Sequence, residues 1–188
     1  MRTWLVALSV WGCMSGYGIA QSSDPPKQRP EVLAPGAGPL DAIERLVMPA
    51  VDIARLLQED ERRTSGSLRF AYPIPVAVTP ATHGTWETLG NGYSLWRVRV
   101  ISKGAVSLNL GFRHYVMPAG GRLFVYTPDY RRIVGPFTDQ DNKSHGELWL
   151  PIINGDDLVV EVVVPSNTRE ALGLELSSVG HGYRQIGR

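Results

Sequence analysis

The chain has 188 residues, with 19 Lys and Arg against 18 Asp and Glu for a formal charge of +1. That length supports one domain, or one domain with an accessory segment, and the balanced charge excludes the basic footprint of a nucleic-acid binder. Hydrophobic residues at 43% rule out disorder throughout, 20 Gly and 14 Pro leave little room for long helices, and the single Cys13 excludes an internal disulfide or a four-cysteine zinc site.

Arg2 precedes an apolar run from Trp4 to Cys13, followed by small residues as far as Ala20 and then by Gln21-Ser22-Ser23-Asp24. This is the layout of a secretory signal. The run is about ten residues, too short for a helix that crosses the hydrocarbon core. Gly18 and Ala20 supply the small side chains that a signal peptidase requires, so cleavage is expected after Ala20, and residues 1–20 read as a signal peptide. The exported chain is then thiol-free and extracellular or periplasmic. A lipoprotein reading would cleave before Cys13, but the bulk of Trp11 fits that recognition box poorly. No other stretch approaches a membrane span. Residues 21–39 carry prolines at 25, 26, 30, 35 and 39 and read as an extended linker.

Short helices are expected over residues 40–66. Asp41 with Glu44 resembles a capping box, with Ile43, Leu46 and Val47 on one face. Asp52 can cap a second helix that turns Ile53, Leu56 and Leu57 inward and ends at Gly66.

From residue 67 to 183 the period changes to two. Pro73 and Pro75 confine the stretch 67–78 to an edge or irregular strand. Trp96, Val98 and Val100 alternate with Arg97 and Arg99, which predicts one buried and one wet face. Lys103-Gly104 turns into a second alternating strand with Val106, Leu108, Leu110 and Phe112. Further strands are expected over 122–127, 133–137, 147–151, 158–165 and 172–179, separated by Gly, Pro, Asn and Asp. Spacing of roughly ten residues without helical crossovers points to an all-β, antiparallel β-sandwich or jelly roll, with one or two short N-terminal helices. Residues 184–188 are left as a tail.

Candidate chemistry is sparse. His83, His114, His145 and His181 form no local metal pair, and His83, His145 and His181 each precede a glycine, which marks turns. Asp139 and Asp141 with Asn142, and Asp156 with Asp157, are oxygen-rich enough to be calcium candidates, although the same residues are ordinary turn formers. No Gly-x-Ser-x-Gly elbow or Gly-Asp-Ser-Gly-Gly stretch provides a serine nucleophile, so a non-enzyme without cofactor is expected. Trp86 is the aromatic ring expected to be freest for stacking on a sugar, whereas Trp96 and Leu148-Trp149-Leu150 read as sheet interior.

Several short stretches occur together in a definite order. They run from Val51-Asp52-Ile53 and Leu56-Leu57-Gln58-Glu59-Asp60-Glu61 through Leu68-Arg69-Phe70-Ala71 and Gly84-Thr85-Trp86 to Leu95-Trp96-Arg97-Val98-Arg99-Val100. The series continues in Ser107 to Phe112, Met117-Pro118-Ala119-Gly120-Gly121, Leu123 to Tyr126, Phe137-Thr138-Asp139, Asn142, His145 to Trp149 and Gly155-Asp156. In this order the chain resembles the amino-terminal pro-region of bacterial lysyl endopeptidases, which are secreted trypsin-like serine proteases. The resemblance spans about Val51 to Tyr183 and carries no catalytic position onto this sequence. It implies a monomeric pro-domain that assists folding of a cognate protease domain, in cis or in trans, and keeps it inactive. A prefolded β-domain can lower the barrier for a partner of high contact order and fill its cleft by strand addition or with a tail. Arg184 and Arg188 are then candidates for a processing junction, or else ordinary polar residues of a frayed end. An extracellular module binding glycans or proteins is the alternative.

Overall fold

The computed structural model describes residues 37–63 and 68–185. The proposed leader and most of the linker, with Ala20 and Cys13, lie outside the described residues, as do Gly66 and Arg188.

Among the described residues the strands are β1 (Arg45–Val47), β2 (Ala71–Val78), β3 (Thr85–Thr88), β4 (Tyr93–Ile101), β5 (Ser107–Val116), β6 (Arg122–Tyr126), β7 (Ile133–Phe137), β8 (Leu148–Trp149), β9 (Ile153–Asn154), β10 (Asp157–Pro165) and β11 (Gly173–Gly182). They form two sheets. The first has the order β1-β4-β10-β6-β7, with β3 also on β4, and the second has the order β2-β11-β5-β8, with β9 also on β5. All pairings are antiparallel except β1 with β4. The inner faces meet in one core: Trp96, Val98 and Val100 of β4 and Leu158, Val160, Val162 and Val164 of β10 oppose Leu108, Leu110 and Phe112 of β5 and Leu174, Leu176 and Val179 of β11. The chain is therefore an all-β sandwich, as the alternation indicated. β2 is an edge strand, the position that Pro73 and Pro75 allow because a proline has no N–H for a ladder on its far side.

The helix at Asp52 forms as α1 (Ile53–Arg62), whose N-cap carboxylate accepts the Arg55 N–H at 3.0 Å and whose Leu56 is buried. The first expected helix does not form. Leu40–Ala42 makes one turn of 3-10 helix, and the chain then extends into β1. Long-range bonds decide this outcome. The Glu44 carboxylate takes the Gly84 N–H at 2.6 Å instead of closing a local capping box, and the Glu44 carbonyl takes the Arg99 N–H at 2.9 Å. Ile43 is then buried with Phe124, Tyr126 and Val159 on the outer face of the first sheet.

That cover overturns the expected wet face of β4. Arg97 is fully buried and ion-paired with Glu87, and its Nη2 donates to the Gly38 carbonyl at 2.8 Å. Leu95 and Val163 lie beneath Ala37 and Tyr93, so β4 and β10 are enclosed on both faces. The near-continuous Val159-Val160-Glu161-Val162-Val163-Val164 run is what a doubly covered strand carries. The expected strand over 147–151 is also revised: β8 and β9 are two residues each, and Trp149 is 57% exposed instead of interior.

Candidate functional site

The chain leaves β11 through a polar clamp built on α1. The Tyr183 hydroxyl donates to Asp60 Oδ2 at 2.8 Å and accepts from Arg69 Nε at 2.9 Å. Arg69 also reaches Glu59 and the Leu56 carbonyl, both at 3.2 Å. Arg184 joins the cluster through Asp60 Oδ2 at 3.2 Å, and the Tyr183 N–H donates to the Phe70 carbonyl at 3.0 Å. Burial alone would push the Asp60 carboxyl up, but Tyr183, Arg69 and Arg184 outweigh it and hold it below the ordinary carboxylate value. Arg184 is thus an anchored residue in the described structure. Sequence reading left the partners of this clamp unconnected, because Asp60 and Tyr183 are 123 positions apart.

His181 departs from the expected turn position. It lies within β11 and is buried, with Nδ1 at 2.7 Å from Ser102 Oγ across the gap between the sheets. Its Nε2 is buried without a hydrogen-bond partner. Burial pushes the imidazole down, and Asp156 pulls it weakly up. A serine, a histidine and an aspartate therefore share one neighbourhood, but Ser102 is 1% exposed and no substrate can reach its hydroxyl. The group is an inter-sheet polar bridge, not a poised nucleophile.

The other sequence candidates separate in space. Trp86 is half-buried. Its Nε1 donates to the Pro80 carbonyl at 2.9 Å, and the Arg169 guanidinium sits over its ring at 3.9 Å, which occupies the face a sugar would need. The ring lines a cavity of about 360 Å³ with Thr79, His114, Arg169 and Glu170. Asp139 and Asp141 belong to one 3-10 turn, in which Asp141 Oδ2 accepts the Thr138 N–H at 2.7 Å. Asp157 instead pairs with Arg99 at 2.6 Å, and Asp156 accepts the Gly104 N–H. Among the described residues no group of three or more His, Cys, Asp or Glu side chains is placed to hold a metal ion. Nor is any described helix long and apolar enough to cross a membrane.

The two outer faces of the sandwich contrast. Residues 37–43 and Tyr130 cover the first sheet. The second sheet presents Asn109, Gly111 and Arg113 of β5, Ser177 and Gly180 of β11, and Pro73 and Pro75 of β2, of which Pro73, Pro75 and Arg113 are exposed and Gly111 is buried. Trp149 lies face-on across Gly111, where a Cβ would collide with ring carbons Cε3, Cζ3 and Cη2. Its Nε1 donates to Glu147 Oε2 at 3.3 Å, and the Ser177 hydroxyl donates to the Gly111 carbonyl at 3.1 Å. A shallow groove of about 430 Å³ runs between Trp149, Arg113, Pro73 and Pro75. Sequence analysis missed this surface, although strict alternation in Leu148-Trp149-Leu150 puts the tryptophan opposite the two leucines.

Comparison with known families gives a match to the lysyl endopeptidase N-terminal domain over residues 66–183, more than half of the chain and the whole of the second sheet.

Proposed function

Because the chain belongs to the lysyl endopeptidase N-terminal domain family, we propose that it is a non-catalytic, secreted pro-domain that helps a lysyl endopeptidase-like protease domain to fold and holds it inactive until export. The observation that carries this reading is that the family match takes in every strand of the sandwich from β2 to β11. The closed core supports it as well. A domain whose strands pair across long sequence separations is a preformed template, and it offers a rigid surface on which a β-rich client can organise. The burial of Ser102 and His181 fits an auxiliary role rather than hydrolysis.

Strand addition is the less favoured way to engage the client. Pro73 and Pro75 remove two N–H donors from the outer edge of β2, and the opposite edge of that sheet is formed by strands of two residues. The test is inhibition in trans. Purified domain added to a mature lysyl endopeptidase is expected to reduce cleavage of a lysyl substrate saturably and reversibly, and unchanged activity at a large molar excess contradicts the inhibitory role.

A further inference from the structure

From the outer face of the second sheet we infer that Trp149 is the anchor of the surface on which the protease domain docks; this deepens the proposed function and rests on it. Four observations lead there. Pro73, Pro75 and Arg113 are exposed on this face among the described residues, while residues 37–43 pack on the equivalent face of the first sheet. It is smooth, because Gly111, Gly180, Pro73, Pro75, Ser177 and Ser178 project little beyond the backbone. Its charged groups have partners within the face: Arg113 pairs with Glu175 at 3.3 Å, and the Glu147 carboxylate accepts from the Trp149 indole. A large ring, 57% exposed, reaches from the edge strand β8 flat over Gly111 of β5, and an exposed tryptophan in a shallow groove is the usual chemistry of an interface hot spot.

Area selects the occupant. Four strands about 4.8 Å apart, the longest of ten residues rising about 3.3 Å each, span a face on the order of 500 Å². A standard interface between free proteins takes about 800 Å² of accessible surface from each partner, so a face of this outline holds any free partner, a second copy or a separate protease domain, only weakly. A tethered partner needs less area, because its effective concentration lies in the millimolar range for a short flexible linker. β11, which crosses the middle of the sheet, delivers the chain to Tyr183 and Arg184 at the end of that sheet, and the family is one of N-terminal domains. A protease domain joined there starts from the sheet that bears the Trp149 ring.

The ring is held by contacts that its removal does not propagate into the core, so Trp149→Ala is expected to fold. Ser178→Arg offers a second variant that adds a charge to the face without deleting a contact, and Ile133→Ser on the far edge of the first sheet serves as control. The probe is a lysyl endopeptidase catalytic domain with its nucleophilic serine replaced by alanine, titrated against the full chain up to the millimolar range that a tether supplies, with melting temperatures recorded for each variant. Trp149→Ala and Ser178→Arg are expected to weaken binding about thirtyfold or more, with Ile133→Ser unchanged. Wild-type-like affinity in both face variants overturns the surface assignment while leaving the pro-domain reading intact. Absence of binding by the wild-type chain overturns both. Loss of a chain dimer on Trp149→Ala, or retention of a soluble pyranose oligosaccharide by the Trp149 ring, with protease binding unaffected, also overturns the assignment in favour of those occupants.

Discussion

His181 shows how one buried side chain ties stability to pH. Its Nδ1 is satisfied by Ser102 and its Nε2 has no partner, so a proton added there places a donor and a charge in the core. Burial lowers the folded-state value from the ordinary 6.5, against a smaller upward pull from Asp156. The unfolded chain therefore takes up the proton first. Stability is complete above about 6.5 and falls as the pH drops from there toward the folded-state value, at a slope that cannot exceed about 1.4 kcal/mol per pH unit for one group. Asp60 is held below 3.8, so its contribution is lost only in stronger acid and leaves the window between the two values to the histidine. Urea unfolding between pH 7.5 and about 4.5 is expected to show this slope in the wild-type chain and a flatter profile in His181→Gln. Parallel profiles contradict the assignment. Sequence gave no hint of this role, because a histidine before a glycine reads as a turn until β11 is seen to carry it past Ser102.

The strap formed by residues 37–47 is the element whose reading changed most. Locally it carries helix chemistry, with Asp41 three residues before Glu44. Globally it has more to gain as an extended cover: Ile43 is buried, β1 pairs with the end of β4, and the Arg97 and Glu87 pair closes on Gly38. Such a tertiary override is invisible to a window of ten residues. The ion pair also makes the strap testable. Arg97 has no exposed surface, and the buried Glu161 stands opposite it on β10, so Glu87→Gln removes one of two neighbouring carboxylates and is expected to cost about 1.5 kcal/mol or more, measured by chemical denaturation. An effect below about 0.5 kcal/mol would mean the pair behaves like an exposed bridge. By contrast α1, with its Asp52 cap and its inward Leu56, was legible residue by residue, because both of its signals are local. β8 failed for the opposite reason: its two leucines suggested an interior that only one side of the strand has.

At the scale of the molecule, the strand alternation and turn residues were sufficient for the sandwich, since inward positions of β4, β5, β10 and β11 face one core. What they could not supply was which outer face the strap covers. That depends on where residues 37–43 land, and their landing is set by contacts 40 and more positions away. The resulting asymmetry is what gives the pro-domain reading a physical form: residues 37–43 cover one face, and the other presents the exposed Trp149 ring over Gly111. The clamp of Asp60, Arg69, Tyr183 and Arg184 fixes the end of β11 relative to that face. The central claim is that this domain changes the folding of a protease domain, and refolding yield measures it most directly. A denatured lysyl endopeptidase catalytic domain, diluted from urea with and without equimolar chain, is expected to recover markedly more activity, scored after the chain is removed, when the domain is present. Equal recovery in the two arms would contradict the account.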